Sequence, residues 1–294
     1  MTLRQLLDVP APAKLNLFLH IVGRRADGYH LLQSVFVLID WCDTLHFERC
    51  SGGQISRLDL NPNLKPEHAL PANDLVLRAA RALQSATGCT WGAQIALDKQ
   101  IPQQAGLGGG SSDAASTLLA LNRLWGLGLN GADLQRIGLT LGADVPFFVG
   151  GRNAWVEGIG DMLQPIDLQP ARYLVLKPPS GASTPEIFSH PALKRDTPRA
   201  RIEDFVANPT VGLLVNDLQP VATELCPDIA LGLRWMAEHG LEARMSGSGS
   251  AVYAPLESLI KGSSAYRAAG LPGHWVARVC SSLQEHPLFG WCKR

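Results

Sequence analysis

The chain has 294 residues, 46% of them hydrophobic and 18% charged, with 26 Lys plus Arg against 26 Asp plus Glu. That length buries a sizeable core in one large or two modest domains, and the balanced charge argues against a nucleic-acid or membrane-surface partner, either of which needs a surplus of cations. The six cysteines are scattered without a CxxC pair, which argues against zinc and for reduced thiols, and no stretch reaches the roughly 18 apolar residues of a membrane span, so the expectation is a cytoplasmic protein.

The first predicted element is a strand. From Ala13 to Ile21 the sequence AKLNLFLHI alternates, which puts Leu15, Leu17, Leu19 and Ile21 on one face and Lys14, Asn16, Phe18 and His20 on the other. A turn at Asp27-Gly28 then leads to a second apolar run, Ser34 to Ile39, expected to pair antiparallel with the first. A helix capped by Asn73 is predicted up to Gly88, followed by a strand at 93–98. A glycine loop opening into an apolar helix comes next, then a helix from Asn130 to about Leu141.

The character changes near Asp161 to Pro170, and the domain boundary is placed there, giving residues 1–163 and 164–294. Beyond it the pattern predicts a strand at 172–177, helices near 200–207, 212–223, 227–239 and 258–269, and short strands at 241–245, 251–254 and 275–279. The whole reads as a two-part α+β protein.

The strongest chemical signal is Gly106-Leu107-Gly108-Gly109-Gly110-Ser111-Ser112. Glycines ahead of a helix let main-chain N–H groups approach an anion, and the helix start adds unpaired donors and a positive dipole end. Two familiar phosphate loops fit poorly. A Walker loop needs Lys after its last glycine, where Ser111 stands, and a dinucleotide fingerprint needs glycine where Ser111 or Asp113 stands. A flexible glycine turn ahead of a structural helix is the plain alternative.

Asp144 lies among apolar residues in LTLGADVPFF and needs a partner or donors if buried. Lys14, on the non-leucine face beside Asn16, is one solution, although spacing alone does not bring the two together. A turn-capping Asp and an edge-strand Lys on the surface remain open readings.

The segments PAKLNLFLHIVGRRADGYHLLQSVF at 12–36, IPQQAGLGGGSSDAA at 101–115, LTLGADVPFF at 139–148 and MSGSGSAVYA at 245–254 together resemble the GHMP kinases, a superfamily that includes galactokinase, homoserine kinase and mevalonate kinase. Within it, the first segment is similar to kinases acting on 4-diphosphocytidyl-2-C-methyl-D-erythritol. The resemblance implies a two-domain α+β fold, an N-terminal domain like ribosomal protein S5 domain 2 followed by a ferredoxin-like domain, with the active site in the cleft between. It implies ATP as phosphoryl donor, with Mg²⁺, and a monomer or weak homodimer.

The same resemblance makes Lys14 and Asp144 the catalytic pair. It assigns Pro102, Gly106, Leu107, Gly108, Gly109, Gly110, Ser111 and Ser112 to the nucleotide phosphates, with Lys99 and Asn73 near the adenine. Asn16, Tyr29, His30, Thr184 and Phe188 go to the substrate, Tyr29 and Phe188 stacking on the cytosine and His30 hydrogen-bonding it. No metal ligand is assigned. Gln103-Gln104 depart from the family, which often has glycine at the second position, and that departure is expected to reshape the start of the phosphate loop. The rival readings are another GHMP kinase, set apart by the Tyr29, His30 and Phe188 group, and a nucleotide-binding module without catalysis, set apart by Lys14 with Asp144.

Overall fold

The computed structural model describes residues 3–61, 70–207, 215–256 and 274–292. Two long antiparallel strands, β1 (Gln5–Arg24) and β2 (His30–Cys50), organise the first half. The expected turn joins them: Gly28 takes φ 92°, its carbonyl accepts from Arg24 Nε at 2.9 Å, and Tyr29 N–H donates to Asp27 at 3.2 Å. The second apolar run is thus only the middle of β2. Along its other edge β2 pairs in succession with β5 (Ala154–Glu157), with the end of β10 (Val276–Leu283) and with β4 (Gly92–Asp98). On β4 lies β3 (Ile55–Asp59), the one parallel pairing named here, and β6 (Met162–Pro165) covers β5.

Simple alternation fails within β1. The register slips between Asn16, opposite Phe36, and Leu19, opposite Ser34, so three residues of β1 face two of β2. This bulge reverses the facing of the residues from Leu19 to Ile21, up to a second slip before Gly23. Leu19 and Ile21, predicted opposite Lys14 and Asn16, instead join their face, while Phe18 turns to a separate aromatic cluster with Val35, Trp155 and Phe205.

Among the described residues, four helices close the first half. α1 (Leu75–Thr87) ends at Gly88 in the left-handed conformation, as expected, but its cap is Asp74, whose carboxylate accepts from Leu77 N–H at 3.1 Å. Asn73, the predicted cap, sits one residue outside and accepts from Arg81 at 2.6 Å. α2 (Gly109–Trp125) is buried nearly all round, so it is the central helix of this core. Its small residues let it lie close against β1 and β2, and its polar side chains at 116 and 117 bond to main-chain carbonyls of Pro10 and Asp113. α3 (Gly131–Leu139) is capped by Asn130 as predicted, and α4 (Val145–Gly150) follows Asp144.

In the second half β7 (Arg172–Lys177) lies between β9 (Val252–Leu256) and β10, with β8 (Arg244–Met245) beyond β9. α5 (Thr184–Ser189), α7 (Gln219–Leu225) and α8 (Pro227–Glu238) pack against these strands, and α6 (Ile202–Ala207) contributes Phe205 to the aromatic cluster. The helix expected at 212–223 is seen from 219 onward, and the one expected near 258–269 lies outside the described residues. The halves interlock rather than merely abut. Leu19 and Ile21 of β1 pack with Leu174, Leu176 and Ile187, β10 pairs with both β2 and β7, and Leu288 returns to the first core. The division expected after residue 163 falls inside β6, just ahead of the irregular connection at 166–171.

Candidate active site

The glycine loop is fastened on two sides. Leu107 carbonyl accepts from Lys14 N–H of β1 at 2.9 Å, and Ala105 carbonyl from Ala251 N–H at 3.0 Å. Gly106 carbonyl accepts from Ser246 Oγ at 3.0 Å. A Cβ on Gly106 would stand 2.0 Å from Ser246 carbonyl, and one on Gly108 would stand 2.9 Å from the Phe148 ring. Both have φ near 70°, so the close approach and the left-handed turn each demand glycine. Gln104 holds φ 51° with an ordinary side chain. That left-handed backbone, which glycine adopts easily, costs a residue with a side chain roughly 1–2 kcal/mol.

Beside the loop lies a cavity of about 430 Å³, lined by Pro102 and residues 103–111 together with Asn73, Lys99, Arg78 and Leu70. α2 begins here, and no side chain caps it, so the N–H groups of its first turn, around Gly110 and Ser111, are available to an anion. That arrangement fits a polyphosphate. Ser111 lines the cavity, but Ser112 is fully buried beneath it, and its hydroxyl lines neither cavity described here.

The cavity floor carries a buried trio. Lys99 Nζ binds Asp113 at 2.8 Å and also pairs closely with Asp43, which accepts the main-chain N–H groups of Gln100 and Ile101 at 2.6 and 2.7 Å. Burial alone would lower the Lys99 pKa, but the two carboxylates reverse this and raise it. Burial pushes the Asp113 pKa up, and Lys99 pulls it part of the way back.

A second cavity, about 160 Å³, adjoins the first across Gly106 and Gly108. Lys14 and Asp144, distant in sequence, meet here with Nζ to Oδ2 at 3.6 Å. Lys14 is 4% exposed and Asp144 31%, so the ammonium is enclosed while the carboxylate reaches the cavity. The Lys14 ammonium also hydrogen-bonds Asn16 Oδ1 and lies 4.6 Å from the centre of the Phe36 ring. Burial pushes the Lys14 pKa below the ordinary lysine value, and Asp144 offsets part of that. Asp144 stands at the start of α4 without a side-chain capping bond, so it is not serving the helix.

The far wall of this cavity carries Thr184 and Phe188, and Thr184 Oγ1 lies 2.6 Å from Ser248 Oγ of the GSGS loop. The ring beside Phe188 is His30, with centroids 5.1 Å apart. Phe188 lines the smaller cavity and His30 packs on it from outside the lining, while Tyr29 is 61% exposed on the turn, so the structure brings His30 and Phe188 together and does not bring Tyr29 to them. Arg195 Nε donates to His30 Nε2 at 3.1 Å, and Nη2 donates to Phe188 and His190 carbonyls at 3.2 and 2.9 Å. Burial, then Arg195 and Arg24, lower the His30 pKa and favour the neutral ring.

Sequence reasoning missed Ser34, Arg195, Asn216 and Ser246. Asn216 Nδ2 donates to Met245 and Gly247 carbonyls at 2.8 Å each, which shapes the GSGS loop. Ser34 left a trace in the sequence, two positions before Phe36 on the strand expected to pair with Lys14 and Asn16, and Ser246 lies within the segment at 245–254. Arg195 and Asn216 belong to remote segments whose spacing carries no signal. Among the described residues no group of three or more His, Cys, Asp or Glu side chains is placed to hold a metal, and no helix is long and apolar enough to cross a membrane.

Family models for the GHMP kinases N terminal domain and the GHMP kinases C terminal domain match residues 74–152 and 201–273. The chain is 58% identical over 293 residues to the 4-diphosphocytidyl-2-C-methyl-D-erythritol kinase of Polaromonas naphthalenivorans (strain CJ2), covering 98% of this chain and 97% of that protein. A solved structure of 4-(cytidine 5'-diphospho)-2C-methyl-D-erythritol kinase superposes with a TM-score of 0.74 at 35% identity, covering 94% of this chain and 98% of the other. Homoserine kinase from Cytophaga hutchinsonii shares the fold, with a TM-score of 0.69 at 17% identity over 97% of each chain.

Proposed function

The chain belongs to the 4-diphosphocytidyl-2-C-methyl-D-erythritol kinase family of GHMP kinases, and on that premise we propose how its two cavities divide the reaction. The activity is transfer of the ATP γ-phosphoryl group to the 2-hydroxyl of 4-diphosphocytidyl-2-C-methyl-D-erythritol, giving the 2-phosphate and ADP in the non-mevalonate route to isoprenoid precursors.

The observation that carries the assignment of roles is the Lys14–Asp144 pair, opening on one cavity that meets the other at the glycine loop. ATP occupies the larger cavity, with Pro102 and the loop from Gly106 to Ser111 around its phosphates and Asn73 toward the adenine, while Lys99, matched by the resemblance to the adenine side, is held under the loop by Asp43 and Asp113. The acceptor enters the smaller one. Its cytidine lies by His30 and Phe188, with Tyr29 folding onto the base from the rim, and Thr184 and Asn16 flank the methylerythritol. The hydroxyl oxygen forms the new bond to the γ-phosphorus while the bond to the bridging oxygen of ADP breaks, and the hydroxyl proton passes to Asp144. Such transfers run through loose transition states, so aiming the hydroxyl outweighs removing its proton. Lys14 holds the Asp144 carboxylate in place and puts positive charge near the transferring group.

Mg²⁺ enters with the nucleotide and screens its phosphate charge, and no protein ligand is assigned to it. Residues 1–163 form the ATP-binding domain and 164–294 the second domain. The protein works in the cytoplasm as a monomer or weak homodimer, without nucleic-acid or membrane partners. A coupled ADP-release assay comparing the cytidylated methylerythritol with homoserine and mevalonate tests the reading. Turnover on the first alone is expected, and equal turnover on homoserine would overturn it.

A further inference from the structure

We propose that Ser34 is a positioning residue for the catalytic pair: its hydroxyl fixes the Asn16 carboxamide so that the amide oxygen holds the Lys14 ammonium beside Asp144. This rests on the assignment of Lys14 and Asp144 above.

The direction of each hydrogen bond is forced by its neighbours. An ammonium only donates, so the Asn16 atom facing Lys14 is the amide oxygen. The amide nitrogen then points the other way, 2.9 Å from Ser34 Oγ, and because it too only donates, Ser34 accepts. The single Ser34 proton goes to the Phe18 carbonyl, which can only accept. Read from the Phe18 end the chain gives the same answer, so no alternative arrangement satisfies all four groups. Lys14, Asn16 and Ser34 are 4%, 2% and 1% exposed, which leaves solvent little access to repair a broken link.

The bulge in β1 supplies the anchor. Its slip takes the carbonyls near residues 16–18 out of regular pairing with β2, and side chains reach them: Tyr253 Oη lies 3.0 Å from both the Asn16 and Leu17 carbonyls and shares its one proton between them, and Ser34 serves Phe18. Asn16 is held a second time through its main chain, whose N–H donates to Ser246 Oγ at 3.1 Å, the same hydroxyl that reaches Gly106. One asparagine thereby ties the lysine to the phosphate loop.

Without the Ser34 hydroxyl the buried amide loses its partner, and turning its NH₂ toward the ammonium becomes competitive. In Ser34→Ala, kcat on the cytidylated substrate is expected to fall about tenfold, with KM for ATP within about twofold, on the scale of one buried unsatisfied donor. The groups facing Lys14 are Asp144 ahead of α4, Asn16 on its own strand and the uncharged Phe36 face on β2. Losing the amide oxygen disfavours the ammonium, so the basic limb of the kcat–pH profile moves to lower pH. Ser34→Thr restores both kcat and the limb, and Ser34→Ala has no further effect in an Asn16→Ala background. Ser34→Cys, nearly isosteric, gives the same reading should the alanine variant not fold.

Parent kcat and an unmoved limb in Ser34→Ala, or an undiminished loss on top of Asn16→Ala, would overturn the proposal. So would a loss that threonine does not repair. An active Lys14→Met enzyme would instead overturn the catalytic assignment itself, which keeps the two failures apart.

Discussion

Replacing Asp144 by asparagine removes one charge from the site with almost no change of shape. At 3.6 Å from the Lys14 ammonium, the lost attraction is about 1 kcal/mol at the dielectric of water and about 5 kcal/mol at an effective value of 20. Asp144 is 31% exposed, so the lower part of that range applies, about 2 kcal/mol. Stability is expected to fall by an amount of that order, because the buried Lys14 ammonium loses its counter-charge, although Asp144 makes no capping bond to α4 and the amide fits the same space. Turnover is another matter. The acceptor hydroxyl loses both its proton acceptor and its orienting charge, and kcat is expected to drop by about 10²–10⁴. KM for ATP should stay constant or fall, since Asp144 lines only the smaller cavity and its charge repels a nearby γ-phosphate. Coupled ADP release at saturating MgATP gives kcat and both KM values, and a thermal melt checks the fold. A kcat within threefold of the parent in a normally folded variant would refute the role given to Asp144.

Lys14→Met should abolish turnover yet raise Tm near neutral pH, because a buried ammonium is exchanged for a buried thioether of similar length. The folded-state pKa of Lys14 is depressed, so the native protein binds this proton less tightly than the unfolded chain, and the penalty is full at low pH and fades toward 10.5. The Tm gain should therefore shrink as pH rises, and a gain independent of pH would contradict the burial argument. Gly106→Ala would force a Cβ to within 2.0 Å of Ser246 carbonyl at φ 71°, so kcat/KM for both substrates and Tm should all fall, the melt by several degrees. An unchanged melt would show that the loop relaxes freely. Phe188→Ala should raise KM for the cytidylated substrate by about tenfold, on the scale of one stacked base, while KM for ATP stays near the parent value. Equal shifts in both would remove Phe188 from the base site.

Local rules carried much of this protein into view before any tertiary contact was known. The Asp27-Gly28 turn, the Gly88 stop, the Asn130 cap and the strand at 172–177 follow from short-range chemistry: left-handed glycine, side-chain capping and alternating burial. The glycine loop was legible for the same reason, since Gly106 and Gly108 combine a backbone demand with an exposed helix start. What stayed hidden depends on partners far away along the chain. The β1 bulge exists because the carbonyls it frees find Ser34 and Tyr253, and no count of alternating residues reveals those donors. Lys14 and Asp144 meet only because β1 and the start of α4 are held on either side of the phosphate loop. Local chemistry fixes which backbone shapes a segment can take, but a charge pair is made by three-dimensional proximity, and that is settled only when the helices and strands pack.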